Sequence, residues 1–205
     1  MKLRSLVALF AIGSASGCKS DVETVIPPGL DPLEENTATL PDGESVRLVS
    51  TDTDDYHSTH ARGRVEADIA AVAACVAQPE VGVDRRRVAD FVVTDDVDPT
   101  YVVSYDVLTT VVDTVTLEYT LSWVQGDRGD GTYGVRWAKT DGSELLELLE
   151  GSVLLQPIDD AATDVGIIEH LGAVLTSTAN TEQFTGDFYE SIRACAHGEP
   201  LPTYP

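Results

Sequence analysis

From Thr114 to Trp123 the chain reads TVTLEYTLSW, and apolar and polar side chains alternate without a break. A period of two places Val115, Leu117, Tyr119, Leu121 and Trp123 on one face of a strand. Thr114, Thr116, Glu118, Thr120 and Ser122 then fall on the other. A helix would scatter both sets around its axis. This stretch therefore needs a sheet with one face buried and one face polar. Its neighbours agree. YVVSYDVL (101–108) and TYGVRWAKT (132–140) are strand-like, and QGDRGDG (125–131) between strands is a hairpin turn. TDGSE (140–144) and IDDAATD (158–164) are further turns, the latter between the strands EGSVLLQPI and TDVGIIEHLGAVL.

Helical spacing appears at two places. In DIAAVAACVAQPE (68–80), Asp68 is placed to cap a helix, and Ile69, Val72, Cys75 and Val76 share one face. This segment follows strand signals at SVRLV (45–49) and Tyr56–Val65. Near the C-terminus, Phe184, Phe188, Ile192 and Cys195 make one apolar stripe, with Gly198 and Pro200 as stops. The class expected is α+β: an antiparallel sheet, a short early helical segment and one long terminal helix.

The first residues carry an address. Lys2 and Arg4 precede an apolar run, Leu6–Ile12, which is too short to span a bilayer. Ala15-Ser16-Gly17-Cys18 resembles the lipobox of bacterial lipoproteins. That resemblance implies a leader over residues 1–18, lipidation of Cys18, and a protein held at the cell envelope, with Lys19 favouring the outer membrane. An ordinary cleavage near Ser16, releasing a secreted protein, is the alternative. Residues 19–44, rich in Pro, Asp, Glu and Thr and without periodicity, are expected to form a flexible tether with a reach of about 25–30 Å. The domain proper is expected at 45–198, with a short tail at 199–205. One even pair of cysteines then remains, Cys75 and Cys195. In an oxidising compartment a disulfide is the natural reading, with two buried thiols the alternative.

A net charge of -22 repels phosphate backbones and anionic headgroups, so nucleic acid and charge-driven membrane binding are excluded as partners. An apolar content of 42% supports a folded body.

The order of strand, helical segment, a run of about five or six antiparallel strands and a long terminal helix resembles the START-like, helix-grip (SRPBCC) superfamily. Two stretches carry the likeness: VEADIAAVAACVAQPEV, where a strand runs into a helix ending at a Pro-Glu step, and LEGSVLLQPIDDAATDVGIIEHL, a late hairpin with its Pro and polar turn. The resemblance implies a curved antiparallel sheet wrapped around the terminal helix, with room between them for a hydrophobic or amphipathic molecule. Candidate lining residues are Tyr105, Tyr119, Trp123, Trp137, Phe184 and Phe188; packed core is the alternative role for each.

Other constellations are weaker. His57 and His60 stand three apart, hence on opposite faces of a strand, while His170 and His197 lie far off in sequence, though folding could bring them close; no metal or other cofactor is expected. Glu147, Glu150 and Glu169 are candidates for a cavity carboxylate, with solvated positions the alternative. Arg85, Arg86 and Arg87 have acidic neighbours in sequence for local pairing. Arg128-Gly129-Asp130 belongs to a turn, and TDTDD lacks the glycine and distal glutamate of a calcium loop. No nucleophile elbow, phosphate loop or zinc signature is present, and no catalytic residue is assigned. Three readings remain: an envelope-anchored monomer that binds a hydrophobic small molecule, a structural lipoprotein with a filled interior, and a cyclase- or hydrolase-type enzyme.

Overall fold

A computed structural model describes residues 29–93, 102–110, 116–173 and 177–204. Eight strands form one curved sheet in the order β1-β2-β8-β7-β6-β5-β4-β3, every neighbour antiparallel. They are β1 (Val46–Asp52), β2 (His57–Val65), β3 (Val88–Val93), β4 (Val102–Thr110), β5 (Thr116–Asp127), β6 (Tyr133–Gly142), β7 (Leu146–Asp159) and β8 (Ala162–Ala173). Helices α1 (Ile69–Val76) and α2 (Pro79–Gly82) follow the β1–β2 hairpin and carry the chain to the far edge at β3. The long helix α3 (Thr178–Ala196) ends the fold. The alternation in β5 is realised: Leu117, Tyr119, Leu121 and Trp123 are all buried in the core.

Local signals explain the helices. Asp68 accepts a hydrogen bond from the Ala71 amide at 2.9 Å, which caps α1. Pro79 opens α2 where its missing N–H costs nothing. Gly198, at a φ of 67°, ends α3; its N–H reaches Cys195 O (2.9 Å) and the Glu199 N–H reaches Ala194 O (2.8 Å), a Schellman closure. Helix α3 packs on β2, β1 and β8 and on both short helices. A disulfide joins Cys75 of α1 to Cys195 of α3, with Cα atoms 5.8 Å apart, so the pairing expected of these cysteines is present.

Large side chains sit on glycines of the sheet. Tyr189 of α3 lies against Gly63, and Trp137 of β6 lies against Gly151 of β7, where a Cβ would overlap the ring. The Tyr189 hydroxyl donates to Arg64 O at 2.6 Å. These close approaches bring helix and sheet together and require glycine for space rather than for backbone angle.

One expectation is corrected. Residues 19–44 do not all behave as a tether, because from Gly29 onward the chain is an arm laid across the outer face of the sheet. The Asp31 backbone carbonyl accepts from Arg136 of β6 (3.1 Å), and the Leu33 N–H donates to Ser152 Oγ of β7 (3.1 Å). Asn36 Nδ2 donates to Ala61 O (2.8 Å) and Ile167 O (3.3 Å), on β2 and β8. Arg47 of β1 donates to Thr39 Oγ1 (2.7 Å), and Ala38 is buried. The arm is held by polar contacts rather than by an apolar stripe, so it has no period to read. Cys18 and the leader lie outside the described residues.

Candidate functional site

Register places a transverse row on the inner face of the sheet, the face that α3 covers. Thr59 pairs with Glu169, Glu169 with Gly151, Gly151 with Trp137, and Trp137 with Trp123. The two indoles stack with centroids 4.9 Å apart. Phe188 of α3 meets Trp137 edge-on at 5.9 Å, and Phe184 lies 5.9 Å from Phe188. Four of the six aromatics singled out from the sequence thus form one continuous aromatic chain between sheet and helix. Trp123, Trp137 and Phe188 are buried, and Phe184 is partly buried at the edge of the core. Tyr119 is buried on the same face of β5, four residues from Trp123 with Leu121 between them. Tyr105 stands in β4 opposite Leu121, and its side chain lies outside the described residues.

The other end of the row is polar. Thr59 Oγ1 donates to Thr181 Oγ1 of α3 at 2.8 Å, which donates in turn to Thr178 O at 2.8 Å. Glu169 lies beside this relay with a relative exposure of only 2%, and its Oε2 has no hydrogen-bond partner among the described residues. Burial raises its pKa well above the ordinary carboxylate value. Asp84 adds to the rise, and Arg87 offsets part of it. Burial likewise pushes the Tyr119 phenol far up, with Asp84 and Glu169 contributing. The inner face is therefore aromatic at one end and carries at the other a carboxyl group whose protonated form burial favours. Such a group donates one hydrogen bond and accepts others.

Of the three carboxylates proposed for the interior, Glu169 alone is on the inner face. Glu147 is exposed, and Glu150 points to the outer face, where it meets His170. The arginine cluster is paired: Arg87 with Asp84 (2.8 Å), Arg86 with Asp187 of α3 and over the Tyr204 ring (3.9 Å), and Arg85 with Ser191 Oγ (2.8 Å). His197 pairs with Glu44 at 2.7 Å.

Three solved structures show the same architecture. The human StarD13 (DLC2) lipid transfer and protein localization domain matches with a TM-score of 0.56 at 12% identity, over 84% of this chain and 90% of that one. The STAR-related lipid transfer protein from Xanthomonas axonopodis matches with a TM-score of 0.56 at 14% identity, over 77% and 96%. This protein has the START-like helix-grip fold. Human StAR-related lipid transfer protein 5 gives a TM-score of 0.56 at 11% identity, over 83% and 88%. No protein-family model and no curated protein matches the sequence. No helix among the described residues is long and apolar enough to cross a membrane.

The outer face of this helix grip carries a second cluster. His57 and His60 do lie on opposite faces: His57 bonds Asp52 on β1 (2.7 Å), and His60 faces the arm. His170, far off in sequence, is brought close by the fold, because β8 pairs with β2 and sets His170 opposite Ser58, diagonal to His60. Glu34 Oε1 of the arm lies 2.7 Å from His60 Nε2 and 3.1 Å from His170 Nε2. Glu150 Oε1 lies 2.9 Å from His170 Nδ1. Burial opposes charge on His170, but the hydrogen bonds to Glu150 and Glu34 outweigh it and hold its pKa above the usual value. Sequence reading missed the grouping because Glu34 stood in the apparent tether and register is not written in single residues.

Proposed function

We propose that this protein is a binding module that holds a hydrophobic or amphipathic small molecule between α3 and the inner face of its sheet, with the ligand's polar end directed to Glu169. The observation that carries the reading is the buried Oε2 of Glu169, which has no partner among the described residues. A buried polar group without a partner costs roughly 1–3 kcal/mol. A ligand hydroxyl, carbonyl or amine supplies the missing partner. The Trp123–Trp137–Phe188–Phe184 chain offers the apolar surface beside it. That three structural neighbours are named as lipid transfer proteins or domains supports the same ligand class.

The leader supports an anchored setting. In this reading Cys18 is lipidated and the domain works at the envelope, at the outer membrane. With the arm fixed from Gly29, the chain between Cys18 and the domain spans at most about 40 Å even fully extended, which keeps the ligand site close to a bilayer surface. A filled interior with a purely structural role is the second reading. It is favoured by Trp137, 1% exposed and seated on Gly151.

Native mass spectrometry after exposure to a lipid extract tests the choice. The binding module retains a one-to-one adduct that Glu169→Leu weakens, whereas a filled interior retains none. Mass analysis of the mature N-terminus tests the anchor: acyl chains on Cys18 support it, and an unmodified terminus removes it.

A further inference from the structure

We infer that Glu34, His60 and His170 form a binding site for a first-row divalent cation of the zinc class, on the face of the sheet opposite the ligand site. The three residues come from three separate parts of the fold: the arm, β2 and β8. One ligand atom from each falls within 4.8 Å of the other two. The two Nε2 atoms converge on a single carboxylate oxygen, at 2.7 and 3.1 Å. Two imidazole nitrogens and one carboxylate oxygen suit zinc and its neighbours rather than calcium or magnesium, which take oxygen.

The surroundings fit as well. Glu150 holds His170 through Nδ1 at 2.9 Å, the carboxylate–imidazole arrangement that orients a ligating ring and leaves Nε2 for the ion. Both imidazoles are buried, at 7% exposure, so their rings are fixed. The Glu34 side chain is 45% exposed, which leaves an entry path and room for water in a fourth position. Two carboxylates, Glu34 and Glu150, balance a divalent charge, and a chain of net charge -22 concentrates cations around itself.

Loading asks for one rearrangement. The Thr37 amide donates to His60 Nδ1 at 3.0 Å, so His60 carries its proton on Nε2 and gives that hydrogen bond to Glu34. With an ion on Nε2 the proton resides on Nδ1. Thr37 Oγ1, already 3.1 Å away, accepts it while the amide turns from the ring. The change falls within the arm and leaves the sheet as it is. An ion there fastens Glu34, and with it residues 29–44, to the paired strands β2 and β8.

Calorimetric titration of the purified protein with Zn2+, and absorption spectroscopy with Co2+, test the site. The expected result is one ion per chain with a low-symmetry, water-bearing Co2+ spectrum, lost in His60→Ala and His170→Ala. Glu150→Gln should weaken Zn2+ by about 10- to 100-fold. Glu34→Gln, a change on a half-exposed side chain that leaves folding intact, should abolish the stoichiometric site. Zn2+ should also slow amide exchange across residues 29–44. Absence of one-to-one uptake by the wild-type protein overturns the inference and leaves the cluster a hydrogen-bonded clasp. Uptake unchanged in both Glu34→Gln and His170→Ala overturns it too, by placing the ion on other surface carboxylates.

Discussion

Glu169 and His170 are adjacent in β8, and they occupy opposite situations. Glu169 faces inward, fully buried, with an oxygen that meets no partner among the described residues. His170 faces outward under the arm, and both of its ring nitrogens meet a carboxylate. On the inner face Glu169 Oε2 meets no partner among the described residues; on the outer face the histidines meet partners within the chain, while Ser58 Oγ and Arg136 Nε meet none among the described residues. Natural interiors rarely leave such a demand open without a function. The contrast sets an inner face covered by α3 beside an outer face that holds the protein's own N-terminal segment.

The strongest way to break this contrast is at Trp137. If the inner face is chiefly structural scaffold at its aromatic end, Trp137→Ala costs about 3–5 kcal/mol, read as a lowered chemical-denaturation midpoint. A loss below about 1 kcal/mol would mean that the indole lines open space instead. Next in size is the Cys75–Cys195 bridge, which ties α1 to α3 across 120 residues of sequence. Its replacement by a Ser pair should cost about 2–4 kcal/mol, and it should loosen α3 over the inner face without disturbing the arm, as amide exchange would report.

On the outer face, Asn36→Ala removes a donor from two strand carbonyls and should cost about 1–2 kcal/mol. Exchange should quicken over residues 29–44 and remain slow in β5 and β6. Smallest is Glu169→Gln, which should stabilise the protein at neutral pH by about 1 kcal/mol. The sign follows from proton linkage. Unfolded, this carboxyl titrates near 4.5; folded, it holds its proton to a higher pH. Its contribution is full below 4.5 and is lost as pH rises towards the folded value. The stability gap between variant and wild type should therefore widen from pH 4 to pH 8. A gap independent of pH would show that Glu169 ionises normally.

Much of the fold was open to sequence reading because its signals are local. The Asp68 cap, the Phe184–Phe188–Ile192 stripe, the turn at 125–131 and the period of two through Trp123 each depend on a few consecutive residues. The aromatic half of the inner site followed from the same alternation. Its polar half did not, since parity along TDVGIIEHL places Glu169 and His170 on opposite faces without saying which face α3 covers. The arm was least legible. Asn36 and Glu34 act through hydrogen bonds to strands more than twenty residues away, and a polar stretch that docks has the same composition as one that does not.

The central claim is that Glu169 is an unpaired acid awaiting a ligand's polar group, and NMR of its carboxyl carbon, specifically labelled, tests it most directly. The ligand-free protein should show this resonance titrating far above 4.5, and addition of an amphiphile retained in native mass spectrometry should shift both its frequency and its midpoint. A carboxyl that titrates near 4.5, or one left unmoved by every retained amphiphile, would contradict the claim.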